Sequence, residues 1–296
     1  MGAQCTGGAL PGYETFAVHE TGFSIAVRST RAMGWKRDLP DFRDRTLDLP
    51  ATKTSNLPAN VDLRSSEHFA IYDQGHLGSC TANALGAAFH YDQIRQNIKD
   101  FVPSRLFIYY NERAMEGTIA QDSGAYIRDG IKTLNKIGVC RETLWAYDEE
   151  KFTVKPSDAC YAEAALNTCK EYARVPQTLE DMKGCLNEGF PFVFGFTVFS
   201  SFMTGQVAKT GVMTMPKSTE SQLGGHAVCC VGYKDSMGCM IVRNSWGAGW
   251  GDSGYFYMPY EYITHPYFAS DFWAIRSIDG AAAKASFPVK AAGLGR

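Results

Sequence analysis

Apolar positions follow two regimes along the chain. From Thr81 to Asn97, the residues Ala82, Ala84, Leu85, Ala88, Phe89 and Ile94 recur at helical spacing, which predicts a long buried helix. Ser104, just after Pro103, is a cap signal for a second helix over Arg105 to Met115. A third is predicted over Tyr126 to Ile137, with Gly138 placed to close it in the left-handed conformation. The period then changes. Lys170 to Val175, Phe192 to Phe199, His226 to Tyr233, Cys239 to Asn244, Tyr255 to Met258 and Phe272 to Ile275 are short strand-like runs between Gly-marked turns. Thr178-Leu179-Glu180-Asp181 opens a short helix among them. Helices first and strands later predict an α+β fold, with a helical lobe over about 57–165 and an antiparallel β lobe over about 166–279.

The two ends of the chain read differently. Residues 1–56 form a leader without helix or strand periodicity, kept extended by Pro40 and Pro50. No second globular domain is expected in it. Residues 280–296 are small, polar and rich in Gly and Ala, and read as a loosely attached tail.

Composition narrows the partners. With 296 residues, 45% of them hydrophobic and 20% charged, the chain can build one large domain or two lobes with a real core. A net charge of −2 with no long run of one sign argues against a nucleic-acid partner. No stretch approaches the ~20 apolar residues that span a bilayer, so no membrane role is expected. Met1 to Thr30 lacks the basic start and apolar core of a signal peptide. Nine cysteines are many for a cytosolic protein and favour a secreted or periplasmic setting. A monomer is expected.

Four residues carry the chemistry. Cys80 stands in Gly78-Ser79-Cys80-Thr81-Ala82-Asn83 at the start of the long helix, where the helix dipole favours a thiolate. His226 lies in Gly224-Gly225-His226-Ala227-Val228, at the start of a strand. Asn244 opens Asn244-Ser245-Trp246-Gly247-Ala248-Gly249-Trp250-Gly251, and Gln74 lies six residues before the cysteine. Together they supply a sulfur nucleophile, an imidazole base, an amide to orient that base and a side-chain donor for an oxyanion, which are the parts of a thiol acyl-transfer enzyme. His19, His68, His76, His90 and His265 read as core or surface histidines. The glycines after Asn244 lack the Lys-Ser/Thr of a phosphate loop, and the cysteines lack paired zinc spacing, so no cofactor or metal is expected.

This set resembles the papain family of cysteine peptidases, over roughly Leu57 to Ile275. In that family the His and Asn follow the cysteine by roughly 130–150 residues; here His226 follows by 146 and Asn244 by 164, the second slightly late, as an inserted loop would make it. Leu57-Pro58-Ala59-Asn60-Val61-Asp62-Leu63-Arg64 resembles the start of the family's mature catalytic domain. The resemblance implies two lobes, the second barrel-like, with the active site in the cleft between them. It implies that Trp246 shields the His–Asn bond and that Asp122-Ser123-Gly124-Ala125 takes the place of a glycine pair binding extended substrate. Ser123, Gly124, Gly225 and Trp246 are thus candidate substrate-binding residues. Trp250 is expected to pack nearby.

The departures are informative. Leu77 stands where many relatives have a disulfide cysteine, and Thr81 replaces the usual aromatic residue after the nucleophile. Gly224 and Gly225 lack the Asp or Asn often found before the base. These features, with the short leader, suggest a divergent bacterial or viral branch. Cys160 and Cys169 are near enough in sequence to pair, whereas Cys229 and Cys230 read as buried thiols.

The resulting expectation is an endopeptidase acting on peptide or protein substrates through a thioester. Trp35, Leu39, Pro40 and Phe42 lie on an extended stretch, and apolar side chains on an extended strand are what a peptidase cleft binds. Residues near 30–48 are therefore expected to lie across or beside the cleft and restrain access until removed. Two other readings use the same groups: an acyl transferase of transglutaminase type, and an inactive homologue serving as a binding module.

Overall fold

The computed structural model describes residues 33–66 and 69–279. His19, His68, the first 32 residues of the leader and the tail 280–296, all assigned a reading above, lie outside the described residues.

The helix Cys80–Arg95 runs through the middle of the protein. A single apolar stripe is expected from its spacing, yet every residue from Cys80 to Gln93 is buried. The helix has a sheet on one side and the helices Arg105–Glu116 and Ile127–Lys136 on the other, so no face is left to water. Two of its polar residues bond in place: Thr81 Oγ1 donates to Glu112 Oε2 at 2.8 Å and Asn83 Nδ2 donates to Ser79 O at 2.9 Å. Arg105–Glu116 has the predicted cap, with the Ser104 hydroxyl accepting from Phe107 N at 3.2 Å and Gly117 closing at φ 71°.

Among the described residues the sheet has seven strands. Six follow the order Cys169–Arg174, Ala269–Ile278, Phe192–Phe199, Gln222–Lys234, Cys239–Arg243 and Tyr255–Pro259, each antiparallel to its neighbour. The seventh, Asn60–Asp62, pairs with the far end of Gln222–Lys234. The central strands are covered on both faces, so side-chain alternation distributes them between two cores. Val193, Ala227, Cys229, Val231 and Trp273 face the helices. Phe192, Phe194, Phe196, Val228, Cys230 and Phe272 face a second core with Trp246, Trp250 and Phe256. Cys80 and His226 lie where the helix N-terminus meets the Gln222–Lys234 strand.

Candidate active site

Cys80 is the first residue of its helix, and its sulfur accepts the backbone N–H of Ala227 at 3.3 Å. Cys80 and the strand that carries His226 therefore touch directly. Burial pushes the Cys80 thiol up to about 11; N–H groups of Ala227, Gly34 and Thr81 pull the other way, and the nearby Glu112 carboxyl adds to the rise. The loop leading into the helix is held by Asp122, whose two oxygens each accept Gly78 N–H at 3.0 Å.

His226 Nε2 and Asn244 Oδ1 are 2.8 Å apart. The same Oδ1 also accepts Ser245 N–H at 2.8 Å, and a backbone N–H can only donate. The atom facing His226 is therefore the amide oxygen, Nε2 carries the proton, and Nδ1 is the basic nitrogen. Trp246 lies over the imidazole with ring centroids 4.8 Å apart and 28° between planes. Trp250 packs edge-on against Trp246 at 5.0 Å, and Phe196 meets His226 edge-on at 5.8 Å. The His–Asn bond is thus roofed by apolar rings, which strengthens it by excluding water.

Gln74 is fully buried and fixed at several points. Its Nε2 donates to Leu77 O at 2.9 Å, its Oε1 accepts the Ser245 hydroxyl at 2.6 Å, and its own backbone N–H donates to Ser245 O at 2.9 Å. Ser245 therefore ties Gln74 to Asn244, a role that sequence reading missed. Its place between Asn244 and Trp246 was visible, but nothing in a serine's identity shows that its hydroxyl reaches a loop 171 positions away.

The cleft beside Cys80 is filled by the chain's own leader. Gly34 sits between Gly78 and Gly124, and a Cβ on Gly34 would lie 1.6 Å from Gly78 O. A Cβ on Gly124, whose φ is 66°, would lie 2.0 Å from Gly34 O. Ala125 N–H donates to Gly34 O at 2.8 Å, and Trp35–Lys36 pairs in parallel with Ala125–Tyr126. Of the four residues expected to bind substrate, Gly124 and Gly225 touch the leader, while Trp246 covers His226. Ser123 instead turns its hydroxyl to Thr118 at 2.8 Å, and Ala125 carries the ladder.

Beyond Trp35 the leader is held by charge. Lys36 pairs with Glu116 at 2.7 Å, Asp38 with Arg174 at 2.9 Å, and Asp44 with Arg128 at 2.7 Å and Arg174 at 2.6 Å. Trp273 Nε1 donates to Asp38 Oδ2 at 3.0 Å. Leu39 and Phe42, expected with Trp35 against the cleft, stand 74% and 99% exposed. After Asp38 the arm leaves the cleft for ionic partners, so only Trp35 of those bulky side chains goes in.

The anticipated Cys160–Cys169 pairing is not formed; both are free and buried. Cys160 sits in the helix Asp158–Ala164 with its thiol 3.2 Å from Ser157 Oγ, and Cys169 starts the edge strand with its thiol donating to Glu171 O at 3.5 Å. Cys229 and Cys230 are buried free thiols on opposite faces of the sheet. His90 is a core histidine 2.9 Å from Asp100, and His76 lies 3.4 Å from Glu149 on the surface. His265 stacks on Phe268. Among the described residues no group of three His, Cys, Asp or Glu side chains is arranged to hold a metal.

Known proteins are similar to this chain over most of its length. A family model described as papain family cysteine protease matches residues 57–267. An uncharacterized peptidase C1-like protein of Acanthamoeba polyphaga mimivirus is 47% identical over 273 residues, covering 84% of this chain and 88% of its own. The crystal structure of xylellain, a cysteine protease from Xylella fastidiosa, is 44% identical with a TM-score of 0.79, covering 83% of this chain and 96% of that one. A procathepsin B from Trypanosoma congolense shares the fold at 17% identity, TM-score 0.64, covering 77% of this chain and 81% of that one.

Proposed function

The chain belongs to the papain family of cysteine proteases and is a cysteine peptidase; from that premise we propose an endopeptidase that works through Cys80, His226, Asn244 and Gln74 and is held shut by its own residues 33–48. The observation that carries this reading is Gly34 lodged at the Cys80 sulfur, in line with the ladder on Ala125–Tyr126.

The proposed cycle uses each group once per half-reaction. His226 Nδ1 takes the Cys80 proton, with Nε2–H held by Asn244. The thiolate attacks the scissile carbonyl carbon. The Gln74 amide has two hydrogens: one goes to Leu77 O, and the other, with Cys80 N–H, receives the oxyanion. The imidazolium then protonates the leaving amine, and water repeats the sequence on the thioester. Trp246 keeps the His–Asn bond dry throughout.

The direction of the leader supports a restraint that Cys80 does not itself cut. It runs parallel to Ala125–Tyr126, sends its Gly34 N–H toward the sulfur and turns its Gly34 carbonyl to Ala125 N–H. Attack requires the carbonyl carbon at the sulfur, and the leader offers the opposite edge of the peptide group. Its presence also dries the thiol, and burial is the main reason the thiol is raised. Departure of the leader brings water and substrate in and lowers that barrier to ionisation.

The test is active-site labelling with an epoxide thiol reagent, followed by peptide mapping, on the wild type and on His226→Ala. The expected result is stoichiometric modification of Cys80, accelerated by loosening the leader and reduced by at least roughly a hundredfold without the imidazole. Equal labelling of several cysteines, unaffected by His226→Ala, would contradict the assignment.

A further inference from the structure

The Trp35 side chain fills a slot that the sheet leaves open for it. Gly195 lies inside the Phe192–Phe199 strand and Gly225 inside Gln222–Lys234. Neither has a positive φ, so the backbone does not require glycine at either position. Space does: a Cβ on Gly195 would lie 1.9 Å from Trp35 Cε2, and one on Gly225 would lie 2.6 Å from Trp35 Cε3. Gly195 pairs with Ala227 and Thr197 with Gly225, so the two glycines are diagonal neighbours on one face. Interior strand glycines of this kind mark a close approach by another group.

The far end of the slot is polar. Trp35 Nε1–H donates to Asp271 Oδ2 at 3.1 Å, and Asp38 N–H donates to the same oxygen at 2.7 Å. Asp271 is only 5% exposed. Both donors belong to the leader and leave with it, so a buried acceptor then faces the emptied slot. Arg174 Nη1 stands 3.7 Å from the other carboxylate oxygen and balances its charge. The floor therefore suits a neutral N–H donor on a flat ring better than a second cation.

Resting on the peptidase reading above, we propose that this slot is the enzyme's principal side-chain specificity pocket and that it selects peptides bearing a tryptophan-like side chain, with Gly195 and Gly225 providing the width and Asp271 reading the ring N–H. Trp35 occupies it as a built-in stand-in for that substrate side chain. Asp271 acts here as a specificity-determining residue, since it touches the bound ring.

The test uses the full chain folded intact and then cut by a sequence-specific protease at a site placed in the exposed stretch around Ser55 and Asn56. Two readouts follow. The first is kcat/KM on matched peptides with Trp, Phe, Leu or Arg at the pocket position. The second is binding of synthetic peptides of residues 33–48 carrying Trp, Phe or Ala at position 35, which needs no turnover. Trp is expected to exceed Phe by about tenfold or more in both, as a hydrogen bond to a charged acceptor provides. Asp271→Gly removes the acceptor at a residue whose φ of 60° suits glycine, and is expected to bring the ratio close to one. Asp271→Asn, which keeps an acceptor without the charge, is expected to fall between. Gly195→Val should block Trp and Phe alike. Equal handling of Trp and Phe by the wild type, a Trp preference that survives Asp271→Gly, or a preference for Arg would overturn the proposal. Trp-selective binding without cleavage of any peptide would keep the pocket and overturn the peptidase reading instead.

Discussion

The active-site corner and the arm that covers it are held by opposite means. In the corner, Gln74, Ser245, Asn244 and His226 are joined by uncharged hydrogen bonds under Trp246, and all five are essentially sealed from water. In the arm, one indole enters a slot and the remaining attachment is largely ionic, through Lys36, Asp38 and Asp44 to Glu116, Arg174 and Arg128. A neutral buried network tolerates few alternatives, because each broken bond leaves a polar atom unsatisfied in a dry place. The partly exposed Lys36–Glu116 pair is weak and responds to salt, whereas the buried Asp38–Arg174 and Asp44–Arg128 pairs hold only while both partners stay charged and paired. A fixed site beside a cover that can leave is what the proposed restraint requires.

The largest expected effect probes the corner. Gln74→Ala, assayed after the arm has been cut away, should lower kcat/KM by about 10²–10³-fold, as loss of one oxyanion donor does. Alkylation of Cys80 by iodoacetamide, which releases iodide and forms no oxyanion, should change by less than about threefold in the same variant. A fall in both would mean that Gln74 shapes the loop more than it serves the reaction.

Next comes the arm's indole, half-buried in its slot. Trp35→Ala removes the indole from its slot, a burial worth about 2–3 kcal/mol, so Cys80 in the intact chain should be alkylated about 50-fold faster. The pH dependence sharpens the same contrast. The thiol is raised to about 11 with the arm in place, chiefly by burial, so the closed form holds the proton more tightly than the open form. Closure is then fully favoured below the open form's lower pKa and weakens as pH rises through about 11. Labelling of the intact chain should still be climbing above pH 9, whereas the cut chain should level off lower. The smallest effect is expected at the rim: Lys36→Ala removes a partly exposed pair worth about 0.2–1 kcal/mol, so labelling should rise no more than about fivefold and less in high salt.

What the sequence showed and what it hid have a common physical basis. The Cys80 helix, the Ser104 cap and the Phe192–Phe199 strand are encoded by neighbours a few positions apart, and they were legible. Gln74, Cys80, His226 and Asn244 stood out because their local strings are distinctive, although the structure brings them together across the chain. The strand Asn60–Asp62 was not predicted, since three residues carry no period. The sequence does not single out Gly195, and it marks Gly225 as a substrate-binding candidate without showing the slot, because a glycine's reason is the group that approaches it, here Trp35 from a remote segment. The arm was expected at the cleft, but its exit was not: Leu39 and Phe42 look like cleft-binding side chains until the ionic partners of Asp38 and Asp44 are seen to draw the chain away.

The most direct measurement is the second-order rate of Cys80 alkylation at neutral pH in the intact folded chain, compared with the same preparation after cleavage near Ser55 and dilution to let residues 33–48 dissociate. The account predicts slow labelling before the cut and at least roughly 50-fold faster labelling after it, reversed by adding back the 33–48 peptide. Equal rates in the two preparations would contradict it.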